Sequence, residues 1–420
     1  MSAVEGWKTE SLGRIANITM GQSPDSKYYS EEKNGLPFLQ GCAEFTSRFP
    51  KHALYCSQTK KIANSGEILF SVRAPVGKIN IADCDYIIGR GLAAISGAEI
   101  DHVYLEYYLK YEEPRFRNAS QGSTFEAINS SELSKWLIEY PISRAEQTKI
   151  AEILSTVDRA IEQTEALIAK QQRIKTGLMQ DLLTRGIDEH GNLRSELTHK
   201  FKDSPLGRIP VEWEVDELGK VAAFVTSGSR NWAQYYSTEG TLFIRIGNLT
   251  RDHINLRFED IVYVVPPRTA EGNRTSVSTG DLLISITADL GIIGVIPENF
   301  GEGYVNQHIA LVRLTKERSN PRFIGWFLSG HSGQTQFAKL NESGAKAGLN
   351  LPTIKKLLVP VTNPIEQATI AEILDANTNR VTALYAKLKK LHAIKSALTR
   401  DLLTGKKRVI IWKSNIGTKI

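Results

Sequence analysis

The sequence predicts an α+β protein in which one unit occurs twice, as an internal repeat with pseudo-two-fold symmetry. Each unit is expected to hold a globular domain followed by a long helix, and the two helices are expected to form an antiparallel coiled coil that separates the globular domains. Three observations support this prediction. EQTKIAEIL at 146–154 returns as EQATIAEIL at 366–374, DLLT at 181–184 returns at 401–404, and both pairs are offset by 220 residues.

The stretch between these phrases is typical of a long helix. Ser143 and Glu146 have the spacing of a capping box, and Asn363, Pro364 and Glu366 offer an N-cap, a first-turn proline and the same glutamate. Apolar residues then recur with alternating spacings of four and three, which is typical of a coiled-coil seam. The seam positions are Ile150, Leu154, Val157, Ile161, Thr164, Ile168, Gln171, Lys175, Leu178 and Leu182 in the first copy, and Ile370, Leu374, Asn377, Val381, Leu384, Leu388, Leu391, Lys395, Leu398 and Leu402 in the second.

Polar residues interrupt this seam, notably Lys175, Lys395 and Asn377. They either fix the register of the helix pair or open toward a partner, and the sequence leaves both interpretations open. Gly186 and Gly405 follow the far ends, where a left-handed C-cap is expected. An ordinary amphipathic core helix would explain one such stretch, but not two of matched length.

The globular parts contain short β-like runs broken by Gly and Pro, with few helical stretches, which indicates α+β domains. The runs at 66–72, 80–82, 242–246, 260–265, 281–287 and 292–296 predict strands, and those at 103–110 and 321–328 predict helices. The predicted boundaries are 1–145 for the first globular domain, 146–186 for its helix, 187–212 for a linker, 213–362 for the second globular domain, 363–405 for its helix and 406–420 for a basic tail. Trp7 and Trp213, which open the two copies, are expected in the core.

Composition narrows the class of function. The net charge of +6 favours an acidic partner, of which nucleic acid is the commonest. The three cysteines have no CxxC pair and no nearby His pattern, so they form neither a disulfide framework nor a zinc site and fit a reducing cytoplasm. The start of the chain lacks an apolar signal-peptide region, and no run of about 18 apolar residues predicts a membrane span.

A search for catalytic motifs finds none. The sequence has no GxxxxGK[ST] phosphate loop and no tetrapeptide of the kind that amino-methyltransferases carry. The acidic residues near Pro24 and Lys33 lie in a Gly/Ser/Pro-punctuated loop rather than on a strand pair, and the eight histidines are scattered without ligand spacing. The prediction is therefore no catalytic residue, no metal site and no cofactor in this chain.

Loops at matched places in the two copies are candidate nucleic-acid contacts. GQSPDSKYY at 21–29 and SGSRNWAQYY at 227–236 both mix small polar residues, one cation and a Tyr-Tyr pair, which suits phosphate and base-edge contacts; a solvated loop with packed tyrosines is the alternative. SVRAPVG at 71–77 matches SITADLG at 285–291, and GRGL at 89–92 matches NQHI at 306–309, so equivalent positions carry different polar groups. The candidate DNA-binding residues are Gln22, Ser23, Lys27, Tyr28, Tyr29, Arg73, Lys78 and Arg90 in the first copy, and Ser229, Arg230, Trp232, Tyr235, Tyr236, Arg245, Thr287, Asn306, Gln307 and His308 in the second.

Two variable domains, each followed by a helix that begins EQxxIAEIL and ends DLLT, together with the phrases GQSPDSKYY, SVRAPVG, GRGLAAI and DSPLGRIPVEWEV, carry a resemblance over the whole chain. In these features the chain resembles the specificity (S) subunit of Type I restriction–modification systems. One departure is the second loop, GSRNWAQYY, which lacks the Ser-Pro of the first copy, so its contacts carry over less directly.

The resemblance implies a non-catalytic DNA reader in the cytoplasm. Each target-recognition domain would bind one half of a bipartite, asymmetric site in the major groove, and the helix pair would act as a ruler between them. Two methyltransferase (M) subunits would dock along the helices, bind S-adenosylmethionine and methylate adenine, and two restriction (R) subunits that use ATP and Mg²⁺ would complete the complex. From the residues alone two other classes stay open: an enzyme with its own nuclease or methyltransferase centre, and a coiled-coil scaffold for protein partners.

Overall fold

The computed structural model describes residues 4–120, 127–228, 230–266, 270–315, 317–342 and 348–409. The chain divides into two compact units: unit 1 is Met1–Glu165 with Ala386–Ile420, and unit 2 is Ala166–Tyr385. Two long helices, Arg144–Leu182 and Pro364–Leu403, are called spacer helix 1 and spacer helix 2. They end a few residues before the predicted limits at 186 and 405, because Gly186 and Gly405 lie beyond the last turn with φ of +62° and +68°. The predicted domain limits remain a prediction.

The globular domain of unit 1 is built on two sheets that share no strand. An antiparallel sheet has the order Ala16–Met20, Leu92–Gly97, Ile68–Ser71, Ile79–Ile81, and a mixed sheet has the order Tyr29–Ser30, Leu54–Cys56, Leu36–Leu39, Tyr86–Ile88, Ile62–Ala63. The two-stranded pair Trp7–Ser11 and Leu137–Pro141 joins the start of the domain to its end, and the helices are Leu12–Ile15, His102–Ser120 and Ser130–Ser134. Ile68 and Phe70 enter one core and Leu69 enters another, because successive side chains of a strand point to opposite faces.

The globular domain of unit 2 repeats this plan. Its antiparallel sheet has the order Ala222–Ser227, Ile309–Leu314, Leu282–Ser285, Ile293–Val295, and its mixed sheet has the order Tyr236–Ser237, Tyr263–Val264, Thr241–Ile244, Gly303–Val305. Glu214–Glu217 pairs with Leu358–Val361, and the helices are Leu218–Val221, Ala270–Thr275, Pro321–Ser329, His331–Glu342 and Leu351–Lys355. Trp213 is fully buried and Trp7 nearly so, as predicted.

Three local predictions need correction. The stretch 187–212, predicted as a linker, contains the antiparallel hairpin Phe201–Ser204 and Gly207–Pro210, and both Ile187 and Ile209 are buried in the core of unit 2. The strand predicted at 260–265 is reduced to Tyr263–Val264. The helix predicted at 103–110 runs over His102–Ser120 and continues through Pro114.

Within each unit the spacer helices pack antiparallel. In unit 1, Leu402 and Leu403 from the end of spacer helix 2 share a core with Ile150 and Leu154 from the start of spacer helix 1. In unit 2, the end of spacer helix 1 packs in the same way on the start of spacer helix 2, through Leu182, Leu183, Ile370 and Leu374. All twenty predicted seam positions are buried or half-buried. The predicted α+β fold with an antiparallel helix pair is thereby confirmed.

The glutamine of the repeated EQ phrase ties each spacer helix to its globular domain. The side chain of Gln147 donates to the carbonyl of Pro141 at 2.8 Å and accepts from the backbone N–H of Asp101 at 2.7 Å. Gln367 repeats both bonds, donating to Thr362 at 2.7 Å and accepting from Asn320 at 2.8 Å. The repeated phrase therefore serves to join the helix to its domain, in addition to favouring a helix.

The polar seam residues contact their own protein. The ammonium of Lys395 lies 2.6 Å from Asp158 in unit 1. In unit 2, Lys175 donates to the backbone carbonyl of Asp252 and lies 5.0 Å from the ring centroid of Trp326; burial lowers the pKa of Lys175, and Asp252 opposes that shift. These contacts favour a role in the helix packing over an opening toward a partner.

A buried amide pair in the unit 2 seam gives a testable stability difference. Asn377 donates to Gln171 at 3.1 Å, and among the described residues the Oδ1 atom of Asn377 has no hydrogen-bond partner. The other repeat has Leu391 and Val157 at the equivalent positions. We expect the double variant Gln171→Leu/Asn377→Val to gain about 1 kcal/mol, because replacing both partners of a buried polar pair leaves no group unsatisfied.

The matched single variant Asn377→Val is expected to lose about 1–3 kcal/mol, because it leaves the Gln171 amide buried alone. Urea unfolding of the full chain, followed by circular dichroism, measures both changes. A double variant less stable than the single one would contradict the expectation.

Candidate nucleic-acid interface

In unit 1 four loops meet at the ends of the two sheets, held together by backbone hydrogen bonds. Gly21 donates to the carbonyl of Leu92 at 2.8 Å, Gly89 donates to Leu39 at 2.7 Å, and Val72 donates to Gly91. A Cβ atom on Gly21 would lie 2.1 Å from the carbonyl oxygen of Gly89, so only glycine permits this approach. We call the loops 21–29, 40–41, 72–78 and 89–91 recognition edge 1.

Unit 2 has the same frame. Gly228 donates to the carbonyl of Ile309 at 3.1 Å, Asn306 donates to Ile244 at 3.0 Å, and Ile286 donates to His308 at 3.0 Å. A Cβ atom on Gly228 would lie 2.0 Å from the carbonyl oxygen of Asn306. The loops 227–236, 245–248, 286–290 and 306–308 are called recognition edge 2. The loops that match in sequence therefore match in backbone hydrogen bonding as well.

Ser23 is the polar centre of recognition edge 1. Its hydroxyl accepts from the backbone N–H of Arg90 at 3.1 Å and from the side-chain amide of Gln40 at 3.0 Å. Tyr29 stacks on Phe38 with ring centroids 4.6 Å apart. Burial raises the pKa of Tyr29, which keeps the phenol neutral, and Arg90 opposes that shift. Gln22 is exposed beside this cluster and its backbone N–H is bound to Ile88.

The cations of recognition edge 1 differ in how free they are. Arg73 and Arg90 are exposed, and neither forms an ion pair within the described residues. Lys78 is paired with Glu113 at 2.8 Å. Lys27 lies 3.4 Å from Asp25 and 5.1 Å from the ring centroid of its neighbour Tyr28. Arg73 and Arg90 thus retain most of their donor capacity for an external partner.

The aromatic part of recognition edge 2 is mainly packing. Trp232 is 3% exposed and stacks on Phe243 with ring centroids 5.7 Å apart. Tyr235 is half-buried against it, whereas Tyr236 is 48% exposed. We therefore leave Trp232 out of the proposed contact set below, since its ring has little surface to offer. Ser229 lies outside the described residues.

The polar part of recognition edge 2 has fewer free cations. Arg230 is exposed, but Arg245 lies 3.4 Å from the Asp260 carboxylate. Asp289 of the same edge pairs with Arg251. The remaining predicted residues, Thr287, Asn306, Gln307 and His308, are all half-buried and lie together. Thr287 stands where the first copy has Arg73, and Gln307 stands where it has Arg90, so the two edges present different hydrogen-bonding groups on one frame.

Two residues of these edges were missed by the sequence search. Gln40 follows the strand Leu36–Leu39 and donates to Ser23, and Asp289 lies two residues after Thr287. A signal for Gln40 existed, because LPFLQ at 36–40 matches TLFIR at 241–245, and Gln40 therefore stands at the place of Arg245, a candidate in the second copy. Asp289 gave no such signal, since its partner Arg251 is far away in sequence.

Comparison with known proteins bears on both copies of the repeat. The family model described as Type I restriction modification DNA specificity domain matches twice, over residues 4–171 and 210–393. The chain belongs to this family. The predicted membership is confirmed, and the two matches coincide with the two copies of the repeat.

Similar proteins carry related descriptions. The chain is 39% identical to a putative type I restriction enzyme MjaX specificity subunit of Methanocaldococcus jannaschii. The similarity extends over 184 residues, which are 43% of this chain and 43% of that protein. The chain is 23% identical to the MjaVIII specificity subunit of the same organism, over 74% of this chain and 71% of that one. A crystal structure of a Type I S subunit from M. genitalium has the same fold, with a TM-score of 0.62 and 16% identity over 97% of both chains.

No helix within the described ranges is both long and apolar enough to cross a membrane. Over those same ranges no group of His, Cys, Asp and Glu side chains is arranged to hold a metal ion.

Proposed function

We propose that this chain is the DNA-specificity subunit of a Type I restriction–modification complex, and that each globular domain reads one half of a bipartite, asymmetric DNA site. The observation that carries the proposal is the pair of recognition edges, which share one backbone frame but differ in their polar side chains. A shared frame gives both domains the same approach to a duplex. Different donors and acceptors on it give each domain its own base preference.

Within each edge the proposal assigns two kinds of contact. Exposed cations, such as Arg230 and Lys27, suit the phosphate backbone, which provides affinity and register without base preference. Groups with fixed hydrogen-bonding geometry suit base edges in the major groove. The proposed contact set is Gln22, Ser23, Lys27, Tyr28, Tyr29, Arg73, Lys78 and Arg90 in unit 1, and Ser229, Arg230, Tyr235, Tyr236, Arg245, Thr287, Asn306, Gln307 and His308 in unit 2.

The proposal extends to the partners. Two methyltransferase subunits dock along the spacer helices, bind S-adenosylmethionine and methylate adenine at N6, one in each half-site. Two restriction subunits supply the ATP- and Mg²⁺-dependent endonuclease. The chain itself is non-catalytic and works in the cytoplasm, and the spacer helices set the number of base pairs between the half-sites.

Mapping of methylated adenine across the host genome, with and without this gene, tests the proposal. Loss of one bipartite motif on deletion, and its return on complementation, is the expected result. Methylation or cleavage of DNA by the purified chain without partners would instead indicate an enzyme with its own centre. No change in methylation, and no DNA binding with methyltransferase subunits added, would indicate a protein scaffold.

The variant Arg90→Ala is expected to relax the first half-site. Its guanidinium is exposed on recognition edge 1 and can bond two acceptors of guanine, a contact worth about 1–3 kcal/mol of discrimination. Methylation mapping of the reconstituted complex should therefore show one position of the first half-site broadened by roughly 5–150-fold, with the second half-site unchanged.

Arg14→Ala is the matched control. Arg14 is another exposed arginine of the same domain, but it precedes the strand Ala16–Met20, whereas the edge begins after that strand. The complex with Arg14→Ala should methylate the same DNA motif as the wild type. A uniform loss of binding across all sequences in Arg90→Ala would mark Arg90 as a phosphate contact and contradict the base-reading assignment.

A further inference from the structure

Three side chains of recognition edge 2 form a hydrogen-bonded chain. The Oγ1 atom of Thr287 lies 2.7 Å from Nδ1 of His308, and Nε2 of the same ring lies 3.2 Å from Nε2 of Gln307. All three side chains are half-buried, with one side open to solvent. The chain therefore ends at the surface, on the amide of Gln307.

The position of the Gln307 amide nitrogen indicates which ring nitrogen carries the proton. An amide nitrogen can only donate, so Nε2 of His308 must accept from Gln307. The ring then carries its proton on Nδ1, and it donates that proton to the hydroxyl of Thr287. The three residues thus act as an ordered relay in which Thr287 selects the tautomer of His308.

The backbone keeps the ring in place. The N–H of His308 donates to the side-chain Oδ1 of Asn306 at 3.2 Å, and its carbonyl accepts from Ile286 at 3.0 Å. Asn306 is itself bound through its backbone N–H to Ile244. The backbone of His308 is therefore held by its own loop and by Ile286, and the bond to Thr287 orients the ring.

We propose that His308 is a positioning residue that orients the Gln307 amide to read an adenine in the second half-site. One amide N–H of Gln307 is committed to His308. The other N–H and the carbonyl oxygen form no hydrogen bond within the described residues, and this donor–acceptor pair matches N7 and the N6 amino group of adenine in the major groove. The inference rests on the proposed function, which it sharpens to one residue, one orientation and one base.

The first domain lacks all three members of the relay. Arg73, Arg90 and Gly91 stand where the second domain has Thr287, Gln307 and His308. The orienting mechanism is therefore specific to the second domain, and the first half-site serves as an internal control in every experiment. A structural defect would weaken methylation at all sites, whereas loss of orientation changes one position of one half-site.

The test is methylation mapping in a host that lacks the gene and is complemented with variants. Gln307→Glu, which presents acceptors only, is expected to lose adenine at one position of the second half-site and to favour cytosine there. His308→Ala is expected to broaden that same position by roughly 5–150-fold, since the amide can then rotate. Thr287→Val, which removes the hydroxyl but keeps the shape, should broaden the same position less.

His331→Ala, a change at an exposed histidine in the same domain, should leave the motif unchanged. If Gln307→Glu changes the position but both His308→Ala and Thr287→Val keep wild-type discrimination, the positioning role is wrong. If a position other than adenine responds, the orientation is wrong. If none of the variants alters a bipartite motif that still disappears on gene deletion, the inference fails and the proposed function stands. If deletion removes no motif, both fail.

Discussion

Replacement of Arg194 by alanine is expected to destabilise unit 2 by about 3–5 kcal/mol, the range for a buried ion pair that loses one partner. The side chains of Arg194 and Glu366 are 9% and 7% exposed. Glu366 also accepts from the indole N–H of Trp213 at 3.1 Å and from the backbone N–H of Ile187 at 2.9 Å. These bonds hold the carboxylate in place, so the variant keeps a buried charge without its counter-ion.

Denaturant unfolding of the full chain, followed by tryptophan fluorescence, measures the effect, because Trp213 lies directly on the carboxylate. Arg208→Ala is the matched control. Arg208 pairs with Glu196 at 3.3 Å, with both side chains more than half exposed, and such a pair contributes about 0–1 kcal/mol. Arg194→Ala combined with Glu366→Gln should recover part of the loss by removing the isolated charge. Equal midpoints for Arg194→Ala and Arg208→Ala would contradict the expectation.

Unit 1 contains a looser version of the same arrangement. Arg408 binds Glu146, the glutamate equivalent to Glu366, at 2.7 Å, but the arginine side chain is 40% exposed. Within the described residues the indole N–H of Trp7 has no hydrogen-bond partner, whereas Trp213 has one. Arg408→Ala should therefore cost less than Arg194→Ala, because the guanidinium that it removes is already 40% exposed and its ion pair is partly screened by solvent.

These pairs also mark the limit of prediction from sequence at the helix ends. The start signals were real: the Ser143 hydroxyl accepts from the N–H of Glu146 at 3.4 Å, and the Asn363 side chain accepts from Ile365 at 2.8 Å. The predicted return bond from Glu146 is replaced by the ion pair with Arg408, which lies 262 residues away. A local motif cannot reveal a partner so distant in sequence. The glutamate that occurs in both copies, Glu146 and Glu366, is explained by a tertiary ion pair that spacing alone does not show.

The recognition edges could be predicted in position but not in detail. Short matches such as the one that pairs Ser71 with Ser285 were enough to align the loops of the two copies. The structure shows these two residues to be equivalent, because each hydroxyl donates to the carbonyl four residues later. The sequence pattern could not predict which side chains of the edges are buried or which cations are paired. The same aromatic phrase could describe an exposed stacking platform or a small core, and Trp232 proves to be core. Among the described residues Lys78 is paired whereas Arg90 is not, because Glu113 of the helix His102–Ser120 reaches Lys78. The sequence of the loop gives no indication of that partner.

Lengthening both spacer helices by seven residues is expected to lengthen the spacer of the DNA site by about three base pairs. The insertions follow Glu165 and Tyr385, which are repeat-equivalent positions at the division between the compact units. Seven residues complete one heptad, so every seam residue keeps its partner face. They add about 10.5 Å at 1.5 Å per residue, and a duplex rises about 3.4 Å per base pair.

Methylation mapping of the complemented host reads the result directly, since the half-site letters should stay unchanged while the number of bases between them grows. The same heptad inserted in spacer helix 1 alone is the control. It shifts the seam of one helix past that of the other, so the paired contacts Asp158–Lys395 and Gln171–Asn377 cannot both form, and methylation should be lost. A doubly extended protein that methylates the original spacing would show that the spacer helices join the domains without measuring the distance between half-sites.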